Sequence, residues 1–141
     1  MTPRRELIFL SSNGKDWNIV YHMTQHLLAT NKMFRGADIR TYLLLSSKLD
    51  YKCKCAATTA ALAEEMDLSY QQVHSSLKLL QGTDLVREQR VDGVKTYYIN
   101  PYWQTRGKNH GQLIEIYEAI PPRIPHDLDF MQQCEKIAQK S

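Results

Sequence analysis

The sequence predicts an α+β protein, mainly α-helical with one small β-hairpin, and two observations support this class. Two short amphipathic helices joined by a tight connection are indicated within residues 58–81. Two apolar strands, at 85–91 and 94–99, flank the dipeptide Asp92-Gly93, which is typical of two-residue hairpin turns. Helix, turn, helix and hairpin in this order predict a winged helix-turn-helix, with the hairpin as the wing.

The length and composition suit about one domain, in which we expect three regions. The 141 residues are 43% hydrophobic, a share that supports a packed core. Residues 1–16 are predicted to form an N-terminal arm and residues 17–118 the winged helix-turn-helix domain. Residues 119–141 are predicted to form a proline-containing linker and a C-terminal helix.

Two helices are predicted at the start of this domain. An apolar stripe beginning at Trp17 indicates a helix over 17–30, and Gly36 then breaks the pattern. Asp38 is expected to cap a second helix over 38–49, because aspartate readily accepts a free backbone N–H. We expect these helices to form the body of the domain and the face of a homodimer. The predicted apolar side of the second helix comprises Ile39, Tyr42, Leu43 and Leu45.

Capping residues delimit the predicted helix-turn-helix itself. Thr58 or Thr59 is expected to cap a short helix that ends at Met66, and both are candidate DNA contacts. Ser69 is expected to cap the second helix, which Gly82 ends because glycine readily adopts a positive φ. The predicted buried side of the short helix comprises Ala61, Leu62 and Met66.

The second helix combines an apolar stripe with an opposite side that carries no acid. Val73, Leu77 and Leu80 are spaced so that they point into the core together. No Asp or Glu occurs from Ser69 to Gly82, so no carboxylate of this segment repels a DNA backbone. We predict that this helix enters the major groove of double-stranded DNA, where glutamine can bond adenine and lysine can neutralise phosphate. The predicted contacts are Ser69, Tyr70, Gln71, Gln72, His74, Ser75 and Lys78.

The predicted wing adds basic residues beside this helix. Arg87, Arg90 and Lys95 surround the tip of the hairpin and are predicted to reach a neighbouring minor groove or its phosphates. Because Glu88 and Asp92 offset part of this charge, we expect the wing to contribute affinity rather than base specificity. The net charge of +3 is unevenly distributed: residues 1–110 contain 15 Lys and Arg against 10 Asp and Glu.

Catalytic and metal chemistry has little support in the sequence. The segment from His22 to His26 lacks the zinc-protease pattern, and the spacing of Cys53 and Cys55 does not match zinc ribbons. There is no phosphate-binding loop of the P-loop type. We therefore expect no enzyme activity, no metal and no cofactor.

A DNA-nicking enzyme with a catalytic tyrosine is the remaining enzyme class to consider from the sequence. Tyr97 and Tyr98 are adjacent in the returning strand, but the His-hydrophobic-His triplet that usually holds the metal for DNA nicking is absent. Strand alternation instead predicts that one tyrosine points inward and the other outward. The three cysteines suit a reducing compartment, and no apolar stretch approaches the roughly 20 residues of a membrane span. We expect a cytoplasmic protein with no membrane partner.

Several short motifs resemble one family. Residues 58–81 resemble the helix-turn-helix of the RepL-type plasmid replication proteins, with the opening Ser69-Tyr70-Gln71 and the close Leu77-Lys78-Leu79-Leu80. After the wing, Asn100-Pro101 followed by Arg106-Gly107 is similar to the corresponding segment of that family. The resemblance extends over about residues 17–118 and adds Arg106 to the candidate DNA contacts.

The resemblance implies an initiator that binds a plasmid or phage replication origin and helps host replication proteins to load, without catalysis of its own. Two other functions stay open at this point. A transcriptional regulator or plasmid copy-control repressor would use the same DNA contacts, whereas a plasmid partition or scaffold module would use the winged helix to bind protein. Trp17, Tyr21 and Tyr42 are candidates to line an effector pocket, although an aromatic core is the simpler interpretation.

Overall fold

The computed structural model describes residues 19–50, 52–105 and 110–140, which form five strands and six helices. The strands are β1 (Ile19–Val20), β2 (Lys54–Ala56), β3 (Val86–Val91), β4 (Val94–Ile99) and β5 (Gln104–Thr105). The helices are α1 (His22–Thr30), α2 (Gly36–Ser47), α3 (Thr59–Met66), α4 (Tyr70–Gly82), α5 (His110–Glu118) and α6 (Leu128–Lys140). The succession α3, α4, β3, β4 confirms the predicted winged helix-turn-helix. The predictions for residues 1–16, Trp17 and Arg106 lie outside the described residues.

The hairpin is the larger part of a three-stranded antiparallel sheet with β4 in the centre, between β2 and β3. Asp92 and Gly93 form its turn with φ of 53° and 78°. Positive φ at both positions is what a two-residue turn of this handedness requires, so the predicted turn is confirmed. The register sets Arg90 opposite Lys95 near the tip and Arg87 opposite Tyr98 near the base.

Local capping fixes the helix-turn-helix as the sequence predicts. The Thr58 hydroxyl accepts the Ala61 backbone N–H at 3.1 Å and begins α3. Asp67, with φ of 53°, ends α3 in the left-handed region that permits the sharp turn. Ser69 then begins α4 in a reciprocal capping box with Gln72, in which each side chain accepts the backbone N–H of the other.

One apolar core lies beneath all of these elements, and the C-terminal helix belongs to it. Phe130 of α6 is fully buried, with its ring centroid 6.0 Å from that of Trp103 and 5.7 Å from that of Phe34. The segment after α5 therefore folds back onto the domain. No helix within the described ranges is long and apolar enough to cross a membrane.

Five details of the predicted helices are wrong. Gly82 is the last residue of α4 and has no positive φ, a conformation that Asp84 adopts instead with φ of 55°. The predicted helix over 17–30 begins only at His22, because β1 precedes it. Asp38 lies inside α2 at its third position, from which its carboxylate accepts the Arg35 backbone N–H. Leu43 points outward with 57% of its surface exposed. In α3, Ala61 is exposed and Ala63 is buried in its place.

The prediction that one of the two adjacent tyrosines points inward and the other outward holds only in part. Tyr97 and Tyr98 are 1% and 6% exposed. Alternation does send them to opposite faces of the sheet, but both faces are covered. Tyr98 packs with Tyr117 and Ile120 in a second small apolar cluster, on the face opposite the main core.

Candidate nucleic-acid interface

The outward face of α4 carries the largest group of predicted DNA-contacting residues that the structure leaves exposed. Val73, Leu77 and Leu80 are buried at 0%, 3% and 0% exposure, so the apolar stripe is locked into the core. The opposite side of the helix faces solvent, as the sequence predicts. Its exposed side chains are Tyr70, Gln71, Gln72, His74, Ser75 and Lys78.

A buried hydrogen bond fixes the rotation of α4 about its axis. The Ser76 hydroxyl donates to Asp38 Oδ1 at 2.7 Å, and both residues are 0% exposed. Because the bond joins two fully buried polar groups, whose separation would leave each of them short of a partner, it couples the position of α4 to that of α2. It orients the outward residues of α4 away from the core as a set.

The two adjacent glutamines of α4 differ in the hydrogen bonds that their side chains make. Gln72 Oε1 accepts the Ser69 N–H at 3.0 Å, and the Ser69 hydroxyl accepts the Gln72 N–H at 3.1 Å. Both side chains are therefore engaged in the helix cap. The neighbouring Gln71 is exposed, and its side chain has no hydrogen bond to another described residue in this structure. Its carboxamide has a donor and an acceptor available, which is the combination that bonds an adenine edge.

An aromatic pair occupies the edge of the same face. The rings of Tyr70 and His74 stack with centroids 6.1 Å apart and planes inclined by 10°. Tyr70 nevertheless keeps 52% of its surface exposed. The stack restricts both side chains while leaving the phenol and imidazole able to bond phosphate oxygens.

A cleft of about 430 Å³ separates α4 from the wing. Lys78 lines it from α4, while Arg90 and Lys95 line it from the hairpin, so three predicted cations face one another across it. Tyr97 lies in its wall, and burial together with the nearby Glu88 carboxylate raises the pKa of this phenol. The phenol therefore remains protonated near neutral pH and adds no negative charge to the cleft.

The wing holds two of these cations in direct opposition. Arg90 and Lys95 are cross-strand partners in the hairpin register. Arg90 makes one long hydrogen bond, 3.3 Å from Nη1 to the Gly93 carbonyl oxygen, and forms no ion pair with a described acid. Like charges directly opposite each other destabilise a hairpin, so this pair does not contribute to the stability of the wing.

Arg87 is engaged inside the protein, and we withdraw it from the predicted contacts. Its Nε donates to Asp84 Oδ1 at 3.0 Å, and its guanidinium lies 4.4 Å from the centroid of the Tyr117 ring. Burial acts to lower the pKa of Arg87, but the hydrogen bond and charge of Asp84 outweigh it and raise the pKa. The guanidinium thus stays charged and fastens α5 to the base of the hairpin.

Thr59 is likewise removed from the predicted contacts. It is the first residue of α3 and only 3% exposed, so a DNA backbone cannot approach its hydroxyl without displacing its neighbours. Thr58, which is exposed, remains a candidate. Its hydroxyl oxygen already accepts the Ala61 N–H, which leaves its proton available for a phosphate oxygen.

Two arginines beside α4 were missed by the sequence analysis. Arg35 lines a second cleft with Gln71 and Ser75, and Arg123 lines the cleft between α4 and the wing. The hydrogen bond and charge of Asp38, whose Oδ2 lies 3.2 Å from Arg35 Nε, raise the pKa of Arg35. Both arginines lie far from α4 along the chain, so no local pattern reveals their position.

Comparison with known proteins identifies the family. None of the curated proteins matches this sequence. Solved structures of two mutant forms of Lactococcus lactis ZitR share 14% and 13% identity with this chain, with TM-scores of 0.37 and 0.35. Each match covers 97% of this chain and 78% of the other. The family described as Firmicute plasmid replication protein (RepL) matches residues 4–118, and the chain belongs to this family.

Proposed function

We propose that this RepL-family protein initiates plasmid replication by binding double-stranded DNA at the replication origin. The observation that carries the proposal is the acid-free exposed face of α4, which continues into the cationic cleft beside the wing. A helix with its side chains is about 10–12 Å across and fits a major groove about 12 Å wide. In this arrangement α4 enters the groove while the cleft receives the adjoining phosphates.

The exposed residues divide into two roles within this proposal. Gln71 reads a base edge, because its carboxamide is exposed and makes no hydrogen bond to another described residue. Lys78, Arg90 and Lys95 bind phosphates, because their side chains converge on one cleft from two elements. The opposed pair of Arg90 and Lys95 supports this role, since a phosphate between the two cations relieves their repulsion.

The proposal extends to the oligomeric state of the protein and to the host proteins that it recruits. Two copies bind as a homodimer to half-sites about one helical turn apart, which is the usual geometry for helix-turn-helix proteins. The protein then recruits host replication proteins and performs no catalysis of its own. This part rests on membership of the plasmid replication family and on the DNA-binding geometry proposed for α4.

A two-plasmid experiment tests the proposal. One plasmid supplies the protein, and a second carries only the DNA that flanks its gene, without another origin active in the host. We expect the second plasmid to be maintained with the wild-type protein and to be lost with Lys78→Ala. Maintenance of the second plasmid without the protein contradicts initiation. If, in that case, the protein represses a promoter in the same DNA, its function is transcriptional regulation.

A further inference from the structure

The cleft between α4 and the wing contains one carboxylate among its lining residues, and the charge of this group would oppose DNA binding if it were not compensated. Glu88 extends from β3 into the cleft and is 9% exposed. Tyr97 is its cross-strand partner, so the carboxylate lies in the wall that the wing presents to α4. An unpaired negative charge at this place repels any phosphate that enters between Lys78 and Lys95.

Arg123 pairs with this carboxylate from outside the winged helix. Its Nη1 donates to Glu88 Oε2 at 2.8 Å. The side chain of Arg123 is 53% exposed, whereas that of Glu88 is 10% exposed. The guanidinium therefore covers the carboxylate at the mouth of the cleft and cancels its charge on the side that faces solvent.

Contacts on both sides hold Arg123 in this position. On one side, Arg87 Nη1 donates to the Ile120 carbonyl oxygen at 2.8 Å. On the other, the Asp127 N–H donates to the Gly82 carbonyl oxygen at 2.8 Å, at the end of α4. The linker thus crosses beside the cleft along a fixed path.

We infer that Arg123 is a positioning residue of the nucleic-acid interface, which neutralises Glu88 so that the cleft accepts a DNA phosphate. The inference deepens the proposed function and rests on it. It makes the linker a third element of the interface, after α4 and the wing. It also explains why an acid is tolerated among the cations of the cleft, because its charge is already compensated within the protein.

A double-mutant cycle tests this role with the full-length protein and a labelled random-sequence DNA duplex. The variants are Arg123→Ala, Glu88→Gln, their combination, and Arg123→Lys. Binding is measured by fluorescence anisotropy over a range of salt concentrations, and thermal melting of each variant confirms that it is folded. Lys78→Ala is measured in parallel, because it tests DNA binding through the cleft without involving the linker.

We expect Arg123→Ala to weaken duplex binding by about tenfold, because it leaves the Glu88 charge uncompensated in the cleft. In the Glu88→Gln background the same substitution has little effect, and the double variant binds within about twofold of wild type. Arg123→Lys keeps the charge and retains most of the affinity. A purely structural role predicts that affinity falls only in step with the melting temperature, whereas charge compensation predicts weaker binding by Arg123→Ala at temperatures where that variant is fully folded.

Two results overturn the inference. If Arg123→Ala weakens binding equally with and without the Glu88 carboxylate, Arg123 does not act through Glu88. If Arg123→Ala leaves affinity unchanged while Lys78→Ala lowers it, the linker takes no part but the proposed function stands. The proposed function itself fails if the wild-type protein does not bind the duplex or if Lys78→Ala changes nothing.

Discussion

The two ends of the β3–β4 hairpin differ in how they use arginine. Arg87, at the base, donates to Asp84 and to two backbone carbonyl oxygens, and its side chain is 14% exposed. Arg90, near the tip, is exposed and lies opposite another cation. The two residues are three positions apart on one strand and therefore point to opposite faces of the sheet. The surroundings of the two arginines, rather than residue type, therefore decide whether the side chain stabilises the fold or remains exposed to solvent.

The base of the hairpin is a closed polar network. The Asp84 carboxylate accepts hydrogen bonds from Arg87 and from the Tyr117 hydroxyl, the latter at 2.6 Å. Asn100 Nδ2 donates to the Asp84 carbonyl oxygen at 2.8 Å. Burial and the Asp84 charge raise the pKa of Tyr117, which keeps this hydroxyl a donor. The tip has no comparable network among the described residues, and its cations line the cleft instead.

The largest effect in this comparison is expected at the base of the hairpin. Arg87→Ala leaves the Asp84 carboxylate, whose side chain is 16% exposed, without its arginine partner. We expect the free energy of unfolding to fall by about 3 kcal/mol, which is typical when one partner of a largely buried ion pair is removed. Chemical denaturation measures the change. A loss below about 1 kcal/mol contradicts the structural role of Arg87.

Gln71→Ala is expected to affect specificity rather than stability. Loss of a glutamine that bonds adenine should cost about 1–3 kcal/mol of discrimination between the preferred and a substituted site. Competition binding with duplexes of both sequences measures this difference, once selection from a random duplex pool has identified the site. Unchanged discrimination by the Gln71→Ala protein assigns base reading to another residue.

Arg90→Ala is the counterpart of Arg87→Ala at the tip. We expect weaker binding to all DNA sequences and a salt dependence of log K that is smaller by about one unit, because one phosphate contact is lost. The free energy of unfolding is expected to stay the same or rise, because the repulsion from Lys95 is removed. Salt titrations and denaturation of the same protein samples test both parts. Equal salt slopes for variant and wild type contradict the placement of Arg90 at DNA.

Gln72→Ala is the matched control for Gln71→Ala and has the smallest expected effect. The substitution removes Gln72 Oε1, which accepts the Ser69 backbone N–H in the capping box. We expect a loss of about 1 kcal/mol in the free energy of unfolding, with sequence discrimination retained. Denaturation and competition binding measure the two quantities. A loss of discrimination equal to that of Gln71→Ala indicates that both glutamines contact bases.

The sequence predicted the parts of the fold that depend on local signals. Thr58 and Ser69 cap their helices as expected, and Asp92-Gly93 forms the turn. The spacing of Val73 and Leu77 predicted which side of α4 is buried. In each case the deciding groups lie within one helical turn or one hairpin of each other, so the pattern can be read directly from neighbouring residues.

The remaining errors have mostly non-local causes. Arg87 and Arg90 are both predicted to contact DNA because both lie near the turn in the sequence. Their spacing of three residues, however, already indicates that they lie on opposite faces of the sheet. The burial of Tyr98 depends on Tyr117 of α5, and the position of Arg123 depends on how the linker returns to Gly82. Such contacts between distant segments cannot be inferred from the spacing of neighbouring residues.

The most direct test of the account is to map the DNA-contacting surface of the intact protein by amide NMR shifts during titration with its selected duplex. We predict that the largest shifts fall on Tyr70–Lys78 of α4 and on Arg90–Lys95 of the wing. The amides of Asp84, Arg87 and α5 should change little, because that face is closed by its own hydrogen bonds. Shifts concentrated on α5 and the base of the hairpin, with α4 unaffected, contradict the account.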